Sequence, residues 1–272
     1  MRPMRLFLLA LTAATLAGCA AAPALPTARV RSPDDTHGIA IADAIKRTDH
    51  TAQHLNSEKS IIYSQNFGGA GAALGLLGPL GVAANVSMIE SATKADATKL
   101  TGKVKVDPVA LFQEAAATQR LALQSEGTTA TVRLTPYLLV IKVNETTLNT
   151  GAALFIEATG ANGKPWSTKY VLQLPGSYSL ESLAALSDNQ TATLRDDLRA
   201  GYRKLLAFYN RDKPESSAGE QKIIFRSTFV SPRFDLETAG SLIEQSGTTV
   251  WLRTYSGVFA LQSNTVTYGA QP

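Results

Sequence analysis

Few residues in this chain have the types and spacing that chemistry needs, and the first of them is Cys19. It is the only cysteine among 272 residues, and it follows Leu16-Ala17-Gly18 at the end of an apolar run. Small residues before a cysteine let a peptidase hold the backbone in an extended conformation, and the thiol can act as the nucleophile that takes up a lipid. The pattern therefore predicts a modified thiol, which leaves no cysteine for a disulfide within the chain.

The segment before Cys19 has the layout of a secretory signal, because Arg2 and Arg5 precede an apolar run that ends in small residues. The run is too short to span a bilayer core of about 30 Å. The motif Leu16-Ala17-Gly18-Cys19 resembles the lipobox of bacterial lipoproteins. The resemblance implies cleavage before Cys19, attachment of diacylglycerol to its sulfur, and acylation of the new amino group with a fatty acid such as palmitate.

The residues after Cys19 indicate the membrane to which the protein is sorted. Stable anchoring needs more than one lipid chain, which a triacylated Cys19 would supply. In the best-known sorting rule for such lipoproteins, Asp directly after the cysteine retains the protein at the inner membrane, and Ala20 stands there instead. By resemblance, we expect lipid attachment to the outer membrane on its periplasmic face. Residues 19–33, rich in Ala and Pro, predict a flexible tether.

Two histidines are the next candidates for chemistry. His50 and His54 are four residues apart, the spacing at which zinc-binding helices present two imidazoles on one face. However, Thr51 stands where the catalytic metalloprotease motif requires Glu. The sequence therefore favours two solvent-exposed histidines, and we predict no metal site and no cofactor.

Other catalytic patterns are missing from the sequence. It has no Gly-x-Ser-x-Gly motif, and its glycine-rich run is not followed by the Gly-Lys-Ser/Thr of a phosphate loop. The pair Asp196-Asp197 lies among arginines and is interpreted as part of surface ion pairs. The formal charge of +4 includes Arg2 and Arg5, and no long run of like charges argues for nucleic acid as a partner. We predict no catalytic residues and no enzyme.

The uncharged, glycine-rich segment 67–84 is the best candidate for an interaction surface. Three interpretations stay open for it: contact with the membrane, packing against a partner, or a soluble loop. Its contact residues would be Gly71, Gly75, Leu76 and Leu77, because small residues four apart allow close helix approach. Six glycines and Pro79 make a poor isolated helix in water.

The remaining pattern predicts an α+β fold, an antiparallel sheet flanked by helices. We expect a helix over 38–55 and a second one that starts at Asp107-Pro108 and continues to about Gln124. Strand patterns follow over 130–134, 137–143, 152–156 and 166–174, with Pro136 at an edge or a break. Two further helices are expected, over 179–186 and from Asp188 to about Tyr209, the longer one with an apolar stripe of Leu194, Leu198, Tyr202, Leu205 and Leu206.

A polar linker over 212–220 separates this predicted domain, residues 34–211, from a strand-rich C-terminal unit over 221–272. The unit is either a small separate module or an extension of the central sheet. The order of elements looks like that of many small proteobacterial envelope lipoproteins of unassigned role, a general likeness that carries no site residues.

These features predict a non-catalytic envelope adaptor, assembly or structural factor that binds another envelope protein. The alternative is a carbohydrate or peptidoglycan binding module that uses Trp251, Arg253 and Tyr255. Trp166 and Tyr170 could extend such a stacking platform, although aromatics at alternating positions more commonly pack in a core.

Overall fold

One mixed sheet organises the molecule. Within the residues that the structure describes, twelve strands form this sheet, mostly antiparallel, with helices packed against it, which confirms the α+β class. The computed structural model describes residue 25 and residues 28–40, 52–56, 60–65, 79–124, 130–160, 163–233 and 236–271.

The strands are β1 (His37–Ile39), β2 (Ala52–Asn56), β3 (Ile61–Gln65), β4 (Leu123–Gln124), β5 (Val132–Lys142), β6 (Leu148–Thr159), β7 (Pro165–Gln173), β8 (Gln221–Ser227), β9 (Thr238–Ser246), β10 (Thr249–Thr254), β11 (Gly257–Gln262) and β12 (Val266–Ala270). The helices are α1 (Pro79–Leu100), α2 (Pro108–Thr118), α3 (Leu180–Ala184), α4 (Asp188–Arg211) and α5 (Pro214–Ser217), and a 3₁₀ turn covers Ser263–Thr265.

The C-terminal strands continue the central sheet, which is the second of the two arrangements considered for residues 221–272. The strand order is β12-β8-β9-β10-β11-β7-β6-β5-β1-β4, with β3 also paired to β5 and β2 to β3. The join is between β7 and β11, which run parallel with Tyr170 opposite Val258. The strands β5, β6 and β7 form the antiparallel meander that the sequence predicts, with longer strands.

Pro136 lies in the middle of β5, and the strand continues through it. The backbone N–H groups of the even-numbered residues of β5 point to the edge along which β1 and β3 both pair with it. On that side Val132 N donates to Thr36 O and Leu138 N donates to Ser60 O, both at 2.9 Å. Pro136 falls between these two bonds, where β1 has ended and β3 has not begun. The expected break therefore occurs in the neighbouring strands, and the missing N–H of proline leaves no ladder bond unmade.

The helix start at Asp107-Pro108 is confirmed. The Asp107 carboxylate accepts hydrogen bonds from Val109 N and Ala110 N, both at 3.1 Å. The helix ends at Thr118, earlier than predicted, because Arg120 adopts a left-handed conformation with φ 56° and Leu123 joins β4. An end of this kind needs no glycine, so the sequence has no glycine to mark it.

The long amphipathic helix α4 is confirmed, with its whole predicted apolar stripe buried. Its N-cap differs from the prediction. The Ser187 hydroxyl accepts from Gln190 N at 3.3 Å, so Asp188 occupies the first helical position. Asp188 there still places a negative charge at the positive end of the helix dipole.

The helix predicted over 38–55 is wrong at both of its ends, and residues 41–51 lie outside the described residues. His37–Ile39 forms β1 between β4 and β5, and Ala52–Asn56 forms β2, which pairs with the apolar run Ile61-Ile62-Tyr63 of β3. These short segments have few residues to express a period, so strand pairing decides their conformation: β1 pairs with strands distant in sequence, and β2 pairs with the strand that follows it.

Each face of the sheet carries its own hydrophobic core. Helices α2 and α4 cover one face, where Phe112 and Tyr202 meet edge to face with ring centroids 5.6 Å apart. The opposite face is covered by the molecule's own C-terminal strands: Phe229, after β8, packs so close to Gly151 of β6 that a Cβ there would lie 2.9 Å from the ring. Since β8 is several strands from β6 in the sheet order, the sheet must curl back over itself.

Helix α1 begins at Pro79, inside the glycine-rich segment, so a soluble loop over its last residues is wrong. Proline is well suited to the first position of a helix, where its N–H is not needed. Three contacts hold α1 to the sheet: Lys142 Nζ to Asp96 at 2.7 Å, Tyr63 Oη to Asp96 at 3.2 Å, and Gln65 Nε2 to Thr93 at 3.3 Å. Among the described helices, none is long and apolar enough to cross a bilayer.

Candidate functional site

The chain joins the domain through residues 28–36, which we call the N-terminal strap. Ala28 is buried, and Arg29 makes a two-pronged ion pair with Asp35, at 2.5 and 2.8 Å. Arg29 Nε also donates to Thr159 O at the end of β6, at 3.0 Å. Part of the segment predicted as tether is thus fixed to the domain.

The strap is also held to the end of α4. The Arg31 guanidinium donates to the Asn210 backbone and side chain and lies 4.8 Å from the centre of the Tyr209 ring. The Tyr209 hydroxyl is 3.0 Å from His37 Nε2. The strap therefore connects β6, β1 and α4 at one end of the molecule.

Next to the strap lies a buried ion cluster centred on Arg253 of β10. Its Nη2 is 2.7 Å from Asp212 Oδ1 and 2.8 Å from Glu220 Oε1, and all three side chains are almost fully buried. Tyr170 donates to Asp212 Oδ2 at 2.7 Å, and Ser241 donates to Glu220. Asp212 directly follows α4 and Glu220 directly precedes β8, so the cluster fixes both ends of the predicted linker.

The protonation states in the cluster follow from these contacts. Burial acts to lower the pKa of Arg253, but the hydrogen bonds to Glu220 and Asp212 outweigh it and hold that pKa above its ordinary value. Burial, reinforced by the charge of Asp212, raises the pKa of Tyr170, so the phenol stays protonated and donates.

A small cavity lies between the cluster and the strap. Its volume is about 10 Å³, room for about one water molecule. Its lining includes both ionic groups and aromatic rings, namely Arg29, Arg31, Trp166, Tyr170, Tyr209 and Asp212. A cavity of this size suits a structural water and is too small for an organic substrate.

Chemically, this arrangement holds parts of the molecule together. Each charged group of the cluster has a partner of opposite charge, and the hydroxyl groups of Tyr170 and Ser241 satisfy further carboxylate oxygens. Such saturated buried networks hold one packing arrangement in place. The site therefore positions the strap, helix α4 and strand β10 relative to each other.

The residues predicted for lipid attachment and for partner contact lie outside the described residues. These are Leu16, Ala17, Gly18 and Cys19 of the lipobox, and Gly71, Gly75, Leu76 and Leu77 of the glycine-rich segment. His50 also lies outside them. His54 is on strand β2, so the helical spacing assumed for the two histidines does not apply. No cluster of three metal-ligating side chains occurs within the described ranges.

The aromatic residues proposed for sugar stacking are mostly core residues. Trp251 is buried and stacks on Phe208 of α4 with centroids 4.4 Å apart, and Tyr170 is buried in the ion cluster. Arg253 is also buried, which leaves Tyr255 as the exposed member of the proposed surface. The carbohydrate hypothesis thus loses the residues on which it depended.

Asp196 lies on the exposed side of α4 and pairs with Arg199 at 2.5 Å, which confirms the predicted surface ion pair for Asp196 but does not extend to Asp197. Sequence reasoning missed the Arg253 cluster because it placed Asp212 and Glu220 in a solvated linker. One signal was available: Arg253 alternates with Trp251 on the same face of an apolar strand, and a cation on a buried face requires an acidic partner.

Comparisons of the chain with protein-family models, with curated proteins and with solved structures find no match.

Proposed function

We propose that this chain is a bacterial envelope lipoprotein, acylated at Cys19 and held at the periplasmic face of the outer membrane. The observation that carries the proposal is the lipobox, Leu16-Ala17-Gly18-Cys19, whose cysteine lies nine positions before Ala28, the first buried residue in the described part of the domain. A signal of this kind directly before a folded domain is the arrangement that a lipid-anchored protein needs.

Within the envelope, the protein acts as a non-catalytic adaptor, assembly or structural factor that binds another envelope protein. The candidate contact residues, Gly71, Gly75, Leu76 and Leu77 of segment 67–84, precede helix α1, and α1 is fixed to the sheet through Asp96, Lys142 and Tyr63. The segment carries no charge, and its small residues four apart allow close approach of a partner, which supports a binding role.

The localisation is tested by density fractionation of membranes from cells that produce the wild type or Cys19→Ser. The wild type is expected in the outer-membrane fraction, and Cys19→Ser is expected to leave it, because the attachment is covalent lipid at that sulfur. Residence of both proteins in the same membrane fraction would contradict lipid anchoring at Cys19.

The binding role is tested with a photo-crosslinking amino acid in place of Leu76. We expect one discrete protein adduct in cells, and the matched control is the same amino acid in place of Arg203, which is exposed on α4. Adducts that are equally diffuse at both positions would contradict a specific partner for this segment.

A further inference from the structure

The strap determines which end of the domain lies closest to the site of acylation. Arg29 is bonded to Asp35 and to Thr159 O, and Arg31 is bonded to Asn210, so the chain leaves the domain where β6 and α4 end and β5 begins. Ala28 is the last buried residue toward the N-terminus in the described part of the strap. Ala28 lies nine positions after Cys19.

The length of this connection limits how the domain can turn. Nine residues span at most about 32 Å when fully extended. Strand β5 runs from the strap, at Val132, to the opposite end of the domain, at Lys142, a distance of about 33 Å for its eleven residues. If the opposite end rested on the bilayer, the connection would have to be stretched to its limit. A lipid anchor at Cys19 would therefore hold the end that carries the strap toward the membrane.

This end presents an apolar side chain between cations. Val30, the residue between Arg29 and Arg31, is 60% exposed. Lys164, in the turn beside Thr159, and Lys213, three residues after Asn210, are both exposed. Asp35 neutralises Arg29, and Asp34 is the exposed acid of the strap. We call Val30, Arg31, Lys164 and Lys213 the strap face.

We infer that the strap face lies on the anionic phosphate headgroups of the membrane into which Cys19 is acylated. The inference rests on the proposed lipid anchor. Cationic side chains around an exposed apolar residue suit the interface, where the cations meet headgroup phosphates and the apolar group meets the acyl boundary. The short connection keeps this surface at the bilayer, so that a weak contact is enough to hold it there.

The test uses the acylated full chain in vesicles of phosphatidylethanolamine and phosphatidylglycerol. Cys19 is the only natural cysteine and is blocked by lipid, so a second cysteine takes a fluorophore at one place. Val30→Cys is compared with Thr146→Cys, a matched control that is exposed in the turn at the opposite end of β5. A quencher attached to lipid headgroups is expected to quench position 30 several-fold more than position 146.

Each outcome decides the inference. Equal quenching at the two positions, with acylation confirmed by mass, would overturn the strap face and leave the anchor standing. A protein without acylation would overturn both. We also expect weaker quenching at position 30 in vesicles of phosphatidylcholine alone, and unchanged quenching there would overturn the contact with anionic headgroups.

Discussion

Among single residues, Arg253 is the one on whose contacts we expect the stability of the fold to depend most. It is 3% exposed and contacts two buried carboxylates, whereas Arg133 pairs with Glu157 at the surface with about half of its side chain exposed. Loss of one partner from a buried ion cluster leaves uncompensated charge in a medium of low dielectric constant. Exposed pairs, in contrast, are screened by water and salt.

Arg253→Met is therefore expected to lower the free energy of unfolding by about 3–5 kcal/mol, because Asp212 and Glu220 would stay buried without their cation. Arg133→Met, the matched control, is expected to lower it by less than about 1 kcal/mol. Urea denaturation of both variants measures the difference. Similar losses in the two variants would show that the buried cluster has no special role in stability.

His37 gives the strap a dependence on pH. Burial lowers its pKa from 6.5; Asp35 acts in the opposite direction, and Arg31 and Arg29 lower the pKa further. The unfolded chain therefore binds a proton before the folded one does as the pH falls, so stability should decrease below about pH 6.5 through this group. The loss should be complete once the pH is below the folded pKa.

The measurement is the free energy of unfolding from pH 8 down to pH 5, for the wild type and for His37→Gln, which can keep a hydrogen bond to Tyr209. The decrease in the free energy of unfolding as the pH falls is expected to be smaller in His37→Gln than in the wild type. Parallel curves for the two proteins would contradict the role of His37 in this pH dependence.

The hydrogen bond from Arg29 lowers the pKa of Asp35 from 3.8, so the contribution of that ion pair to stability is lost only in stronger acid.

At the scale of elements, sequence reasoning succeeded where a local pattern is long or has a strong cap. Asp107-Pro108 and the stripe of α4 are of this kind, as are the strands of the β5–β7 meander. It failed for β1 and β2, which are too short to show a period: β1 is determined by pairing with residues distant in sequence, and β2 by pairing with the adjacent β3. Sequence reasoning also missed the Arg253 cluster, because its members lie on three strands, β7, β9 and β10, and at both ends of the linker 212–220.

Contact between α4 and the sheet depends on Gly201. A Cβ at this position would lie 2.7 Å from Ala152 Cβ and 3.1 Å from a methyl group of Leu174. Gly201→Ala is therefore expected to destabilise the protein by about 1–3 kcal/mol through overpacking, although alanine is the better helix former by about 1 kcal/mol.

Ala207→Gly, at an exposed position of the same helix, serves as the control and is expected to cost about 1 kcal/mol through helix propensity alone. Thermal or urea unfolding distinguishes the two effects, because they predict opposite preferences for glycine and alanine. A Gly201→Ala variant more stable than the wild type would refute the close packing of α4 on β6.

For the whole molecule, the strap links the folded domain to the proposed anchor. Arg29 and Asp35 are both mostly buried, with exposed side-chain fractions of 12% and 6%, so their pair should resist opening more than a surface pair does. As long as the strap is bound, the distance from the domain to Cys19 is limited to nine residues. If the strap opens, the connection lengthens and the domain can turn.

Arg29→Gln is expected to increase the rate of tryptic cleavage after Arg31 about tenfold, the equivalent of about 1.4 kcal/mol of lost strap binding. Mass spectrometry of the released peptides measures the rate, with Arg133→Gln as the control for loss of an arginine elsewhere. An unchanged cleavage rate would contradict the role of Arg29 in holding the strap.

The most direct test of lipid anchoring is the mass of the N-terminal tryptic peptide from membrane-extracted protein. The account predicts a peptide that starts at Cys19 and ends at Arg29, heavier than its sequence by a diacylglyceryl group and one acyl chain. A peptide that starts at Leu6 and contains an unmodified Cys19 would contradict both the anchor and the membrane orientation that depends on it.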